Sequence, residues 1–184
     1  MTDQVYEGDG KTDENVVHGF ITAILLDENG NVKSEQTIHN KITDAGDLYQ
    51  ATRIAAGVNS NGVSQPTLVT GMKLGTGTTA EAKNGAGAAI VTYLTGSNQG
   101  LDSGYPQVNN LGACLGVNVS YQATWPAGTA TSTTINEVVI VNDSSTNATS
   151  TAANTISRGV FGSTINKLST DTLIVVWNHK QLGA

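Results

Sequence analysis

Residues 115–125, with the sequence LGVNVSYQATW, alternate between apolar and polar side chains along their whole length. The apolar positions are Leu115, Val117, Val119, Tyr121, Ala123 and Trp125. A period of two is typical of a β-strand that packs one face on a core and turns the other to water. Pro126 and Gly128 follow and end the strand. This stretch predicts a fold built from antiparallel sheets.

Further segments have the composition of short strands separated by turn residues. The clearest pair is 16–26 and 31–38, because Asp27-Glu-Asn-Gly30 between them supplies a hairpin turn. Other strands are predicted at 72–74, 88–94, 135–141, 155–161 and 171–177. Seven to nine short strands favour an all-β protein, an antiparallel β-sandwich or jelly-roll-like domain.

One helix interrupts this pattern near residues 44–56. Thr43 is suited to the N-cap, Asp44 and Asp47 to the first turn, and Arg53 to the last turn, with Gly57 as the stop. The predicted apolar face consists of Leu48, Ala51, Ile54 and Ala55.

Length and composition predict one domain with a polar but weakly charged surface. The 184 residues are 38% hydrophobic and only 13% charged, below the roughly 25% of ordinary domains. Residues 1–15 carry five acids and little to bury, so they are expected to form a flexible acidic N-terminal arm. The sandwich domain is then 16–184.

The charge balance argues against several partners. With a net charge of −6 and nine Lys and Arg in total, the chain lacks the clustered cations that nucleic-acid binding needs. No apolar stretch has the length of a signal peptide or a membrane span, so we expect a chain made inside the cell as a soluble protein with no membrane partner. Cys114 is the single cysteine, which excludes an internal disulfide.

The residue types that carry catalysis or bind metals are sparse. His18, His39, His179 and Cys114 show no metal-ligand or nucleophile spacing. Asp27, Asn29 and Asn31 begin like a calcium loop, but Val32 stands where the loop needs Gly. We therefore predict no catalytic residues, no metal and no cofactor, although the acids after residue 80 leave a hydrolase with a carboxylate pair as a minor alternative.

Residues 75–80, GTGTTA, match the dinucleotide-binding fingerprint in its Ala-ended form. That fingerprint works only where a strand turns into a helix, and the following residues show no helical apolar stripe. We interpret the glycines instead as a loop that leaves a strand and uses positive φ angles.

Two apolar runs exceed what a single sandwich needs and are candidates for an intersubunit interface. The candidate interface residues are Val138, Val139, Ile140, Val141, Ile174, Val176 and Trp177, together with Val5 and Tyr6 as anchors of the arm. The run at 138–141 fits either a strand buried on both faces or an interface strand. Tyr93, Tyr105, Tyr121, Trp125 and Trp177 could also build a sugar-binding platform, an alternative to core or interface packing.

Several segments together resemble small virion proteins of tailed bacteriophages, a group that includes capsid decoration (cement) proteins and tail-fibre or baseplate components. They are 41–46 (KITDAG), 71–79 (GMKLGTGTT), 135–138 (INEV), Ser157-Arg158 with Phe161, 165–167 (INK) and 171–177 (DTLIVVW). The resemblance lies in the order of these segments and in their composition, and it includes no catalytic signature.

The resemblance implies a non-enzymatic, β-rich assembly protein located in the virion. We favour a capsid decoration protein that binds the major capsid protein and other copies of itself, most simply as a homotrimer, because the chain is one compact unit with a leading arm. The alternatives are a tail-fibre or baseplate component and a carbohydrate-binding module.

Overall fold

A computed structural model describes residues 18–55, 66–111, 116–143 and 150–181 of the chain. The helix is α1 (Asp44–Ile54), and a 3-10 turn occupies Gly85–Ala88. The strands are β1 (His18–Leu26), β2 (Val32–His39), β3 (Lys41–Ile42), β4 (Gly71–Gly75), β5 (Gln99–Gly100), β6 (Gln107–Asn110), β7 (Val117–Trp125), β8 (Ser132–Val141), β9 (Thr155–Lys167) and β10 (Thr172–Gln181). The mainly β fold with one short α-helix confirms the predicted class.

The strands form two antiparallel five-stranded sheets. Sheet A has the order β2-β1-β10-β7-β6, and sheet B has the order β3-β9-β8-β4-β5. Side chains from both sheets meet in one apolar cluster, in which Ile21, Trp125 and Trp177 of sheet A pack with Leu74 and Ile140 of sheet B. The two sheets therefore share a core, as in a β-sandwich.

The predicted hairpin is confirmed, because β1 pairs with β2 in antiparallel register. The side chain of Asp27 closes its turn by accepting hydrogen bonds of 2.8 Å from the backbone N–H groups of Asn29 and Asn31. The side-chain amide of Asn31, followed by these backbone bonds, holds the pKa of Asp27 below its usual value. The Asp27 carboxylate is thus used for hydrogen bonds within the turn itself.

The strand predicted at 88–94 is wrong. That segment begins in the 3-10 turn and continues as a loop, with a single bridge between Tyr93 and Gly75. Its apolar residues Ile90 and Tyr93 pack on the outer side of sheet B, against Val139 and Val141. Burial alone accounts for their hydrophobicity, without a strand partner.

The helix begins as predicted but packs through a different face. The Thr43 hydroxyl accepts a 3.0 Å hydrogen bond from the Gly46 N–H, which is the N-cap. The predicted apolar residues Leu48, Ala51, Ile54 and Ala55 are all exposed, whereas Gly46 and Thr52 are buried. Gly46 lets the helix approach β9 closely, since a Cβ there would lie 2.1 Å from the Ile156 carbonyl oxygen.

Candidate functional site

The four predicted interface residues of β8 lie inside the single chain. Val138, Val139, Ile140 and Val141 are all fully buried. Val138 and Ile140 face the core between the sheets, and Val139 and Val141 face Ile90 of the covering loop, residues 76–98 between β4 and β5. The strand is buried on both faces, which agrees with the first of the two interpretations given for this run, and its hydrophobicity is used within the fold.

The three predicted interface residues of β10 divide between the two sides of sheet A. Trp177 points inward and is fully buried, so it offers no contact surface. Ile174 and Val176 lie on the outer side and are half-buried, opposite Ile24 and Thr22 of β1. Val5 and Tyr6 lie outside the described residues. Ile174 and Val176 are therefore the described candidates that a partner could contact.

Phe20 completes an apolar row on this outer side of sheet A. The Phe20 ring stacks on His39 with centroids 4.6 Å apart and lies beneath the Lys180 ammonium group. We call Phe20, Ile24, Ile174 and Val176 the outer row. Thr22, which is uncharged, lies between Phe20 and Ile24 on β1 and pairs with Val176.

A buried ion pair fixes the loop that covers sheet B. Glu137 Oε2 lies 2.8 Å from Arg158 Nη2 and 3.0 Å from Arg158 Nε, and both side chains are fully buried. Glu137 Oε1 also accepts backbone N–H groups from Gly77 at 3.0 Å and Thr92 at 2.8 Å. Arg158 Nη1 donates to the Thr79 carbonyl at 2.8 Å. These bonds tie both branches of the loop to one carboxylate and one guanidinium group.

The same carboxylate explains the glycines of the apparent dinucleotide fingerprint. A Cβ at Gly75 or at Gly77 would lie 2.5 Å from Glu137 Oε1, well inside contact distance. Neither glycine has a positive φ angle, so that part of our interpretation is wrong, whereas the predicted loop does leave β4 at Gly75. The sequence needs glycine here for space. The segment that follows is a loop rather than a helix, and the nucleotide-binding alternative lacks its strand-to-helix turn.

A cavity of about 230 Å³ opens at one end of the sandwich, between α1 and the inner side of sheet A. We call it the end cavity. It is lined by Tyr49, Gln50, Arg53, Ile54, Pro106, Val119, Tyr121, His179 and Gln181. Helix α1 supplies four of these residues, because its turns present Tyr49, Gln50 and Arg53 on the side away from the exposed Leu48 and Ala51.

The polar groups that line the end cavity differ in charge. Burial lowers the pKa of His179 to about 4, so its imidazole is neutral at pH 7. Burial, and then the neighbouring Tyr49 hydroxyl, raise the pKa of Tyr121 far above its usual range. The Arg53 guanidinium lies 5.0 Å above the centre of the Tyr49 ring and donates to the Pro66 carbonyl at 2.6 Å. Arg53 is thus the one permanent charge among the lining residues.

The two candidate catalytic side chains that the structure describes, those of His39 and His179, lie on opposite sides of sheet A. His39 is exposed on the outer side of sheet A, His179 is buried on the inner side, and Cys114 lies outside the described residues. Within the described ranges no three His, Cys, Asp or Glu side chains come together as metal ligands. Trp125 and Trp177 are fully buried, so the sugar platform that would use them does not exist.

Sequence reasoning missed the end cavity. Arg53 was assigned only to the last turn of the helix, and Tyr121 only to the apolar face of its strand. Tyr49 and Gln50 gave no signal, because the cavity depends on how α1 lies against β7 and β10. In the part of the chain that the structure describes, no helix has the length and apolarity needed to cross a membrane. No family model, curated protein or solved structure matches this chain.

Proposed function

We propose that this protein is a non-enzymatic structural component of a bacteriophage virion, and that it is a decoration protein which binds the head shell as a homotrimer. The observation that carries the proposal is the outer row of sheet A. Phe20, Ile24, Ile174 and Val176 are apolar, half-buried and aligned across two central strands. None of these four side chains is charged, so a protein that covers them removes no charge of theirs from water.

The two sheets differ in what covers them. Sheet B has its outer side closed by its own loop, which Glu137 and Arg158 hold in place. On sheet A the outer row is only half-buried. The loop residue Asp102 covers part of the neighbouring strand β7, where its carboxylate accepts hydrogen bonds from the side chains of Gln122 and Thr124. Self-association through sheet A would cover the outer row, and the compact two-sheet shape favours a shell-bound unit over an extended fibre.

The deciding experiment is a particle reconstruction from phage that carries this gene. We expect density for the sandwich on the outer surface of the head, with three copies in contact and with atomic contacts to the major capsid protein. Particles stripped of the protein should lose their contents at lower temperature and regain their stability when it is added back. Density in the tail would contradict the decoration role, and absence of the chain from purified particles would contradict the virion role.

A further inference from the structure

The end cavity contains a cation, Arg53, without a carboxylate partner among the residues that the structure describes. Ion pairs between described residues neutralise Lys33, Lys73, Lys83 and Arg158, but none involves Arg53. The other lining residues carry no acid. A guanidinium group in a recess partly shielded from water is stabilised by an anion, and its planar fork matches the geometry of a carboxylate.

Two hydrogen-bond donors of the same cavity are also unsatisfied. Arg53 Nε and Gln50 Nε2 are both shielded from solvent and have no partner among the described residues. A buried donor without an acceptor costs free energy, because it has lost its bonds to water and gained none in return. Both residues line the end cavity, so an occupant that offers acceptor oxygens beside them would neutralise the charge of Arg53.

The walls and the volume of the end cavity restrict that occupant further. Ile54, Pro106 and Val119 supply apolar wall, together with the rings of Tyr49 and Tyr121. The volume of about 230 Å³ equals the liquid volume of roughly seven waters, which is too large for one bridging water and suits a small organic group. A phosphate would leave most of its charge facing apolar wall, since Arg53 is the one cation there.

We propose that the end cavity binds a small monocarboxylate, with the carboxylate on Arg53 and Gln50 and a short hydrocarbon stem against the apolar wall. This site goes beyond the virion role and does not depend on it. Two sources share this chemistry. One is a free organic acid, and the other is an acidic side chain from residues 1–17, which lead into β1 where His18 pairs with Lys180, next to the lining residue Gln181.

The test is an NMR titration of the full-length protein with butyrate, using butyramide as the neutral ligand of matched shape. We expect saturable shifts of the Tyr49, Tyr121 and His179 signals, with a Kd on the order of millimolar for a ligand of this size. Arg53→Gln should weaken binding about tenfold or more, since it removes a charge-assisted contact. Lys180→Gln removes the same charge on the outer side of sheet A and should change Kd less than about twofold.

A second variant is needed because Arg53→Gln would also weaken binding if it unfolded the end of α1. Val119→Phe fills the cavity while keeping the guanidinium group, and it should abolish the butyrate shifts. The proposal is overturned by unsaturable shifts, by equal binding of butyramide, or by equal losses in Arg53→Gln and Lys180→Gln.

The source of the carboxylate is identified by a variant in which the acids of the N-terminal segment become amides. The changes are Asp3→Asn, Glu7→Gln, Asp9→Asn, Asp13→Asn and Glu14→Gln. Tighter butyrate binding by this variant assigns the native carboxylate to the segment, because a competitor has been removed. Unchanged binding assigns the site to a free acid. Loss of butyrate binding by the variant would overturn the proposal.

Discussion

Glu137 shows how one buried carboxylate dictates residue types far away in the chain. Its oxygens accept hydrogen bonds from the backbone at Gly77 and Thr92 and pair with Arg158. The carboxylate cannot retreat from a new side chain without breaking these bonds, since no water replaces them in the interior. Small residues beside it are therefore a requirement of the fold.

We predict that Gly77→Ala destabilises the protein by about 2–4 kcal/mol, because the new Cβ would lie 2.5 Å from Glu137 Oε1. Gly162→Ala is the matched control. It also lies in the sheet B region, has open space around its Cβ position, and should change stability by less than about 1 kcal/mol. Urea unfolding of the two variants gives the comparison, and equal midpoints would show that the loop yields easily at Gly77.

His179 should make the protein sensitive to acid. Its pKa falls from 6.5 to about 4 in the folded state because burial disfavours the charged imidazole. It lies against the Tyr121 and Trp177 rings and within 3.3 Å of the Asn40 amide. The unfolded chain therefore binds the proton first as pH falls, and stability present above pH 6.5 is lost progressively towards pH 4.

The loss attributable to His179 is about 3 kcal/mol over that interval. Unfolding free energies measured between pH 7 and pH 4 should fall less steeply for His179→Gln than for the natural chain. His39→Gln, at an exposed position, should keep the natural slope. Parallel curves for all three proteins would mean that His179 takes up its proton in the folded state.

At the level of elements, the sequence predicted strands where apolar periodicity was local. The alternation in β7 and the apolar run in β8 each mark a strand, and Thr43 marks the start of α1. The sequence-based prediction was wrong for the strand at 88–94 and for the buried face of the helix, because contacts with residues distant in sequence determine both. Gly46 and Thr52 carry no hydrophobic signal, yet both are buried, and Gly46 lies against β9 because the helix packs there by close backbone approach rather than by apolar area.

Helix α1 offers a test of this conclusion. Gly46→Ala raises intrinsic helix propensity by roughly 1 kcal/mol, but its Cβ would meet the Ile156 carbonyl oxygen at 2.1 Å. We expect a net loss of about 2–3 kcal/mol in thermal or urea unfolding. Leu48→Ala, on the exposed side, should stay within about 0.5–1 kcal/mol of the natural chain. A more stable Gly46→Ala protein would contradict the packing described for α1.

The candidate site was harder to predict than the fold. The end cavity exists because α1 spans the end of the sandwich, and no local pattern encodes that placement. The interface candidates were equally hard to predict from sequence. The apolar run at 138–141 is buried inside the chain, whereas Ile174 and Val176 lie on the outer side of sheet A. Hydrophobicity alone does not separate a covering loop from a partner subunit.

For the whole molecule, the proposed trimer predicts a mass of three times the 19.0 kDa chain in size exclusion with light scattering. Ile174→Lys and Val176→Lys should each shift that mass to the monomer, because an unpaired ammonium group would be buried in the outer row contact. Asn166→Lys places the same charge at an exposed position on β9 of sheet B, away from the outer row, and should leave the trimer intact. A monomeric natural chain at tens of micromolar would remove the outer row as a self-association surface.

The pairing of His18 with Lys180 also has a mechanical consequence. β1 and β10 are adjacent and antiparallel, so the start of β1 and the end of β10 lie at the same pole of the sandwich. A tension applied between those two points would load the inter-strand hydrogen bonds one after another, since the bonds lie perpendicular to the strands. The sandwich would unzip from that pole rather than resist in shear, whereas a pull through the covering loop of sheet B would act on many bonds at once.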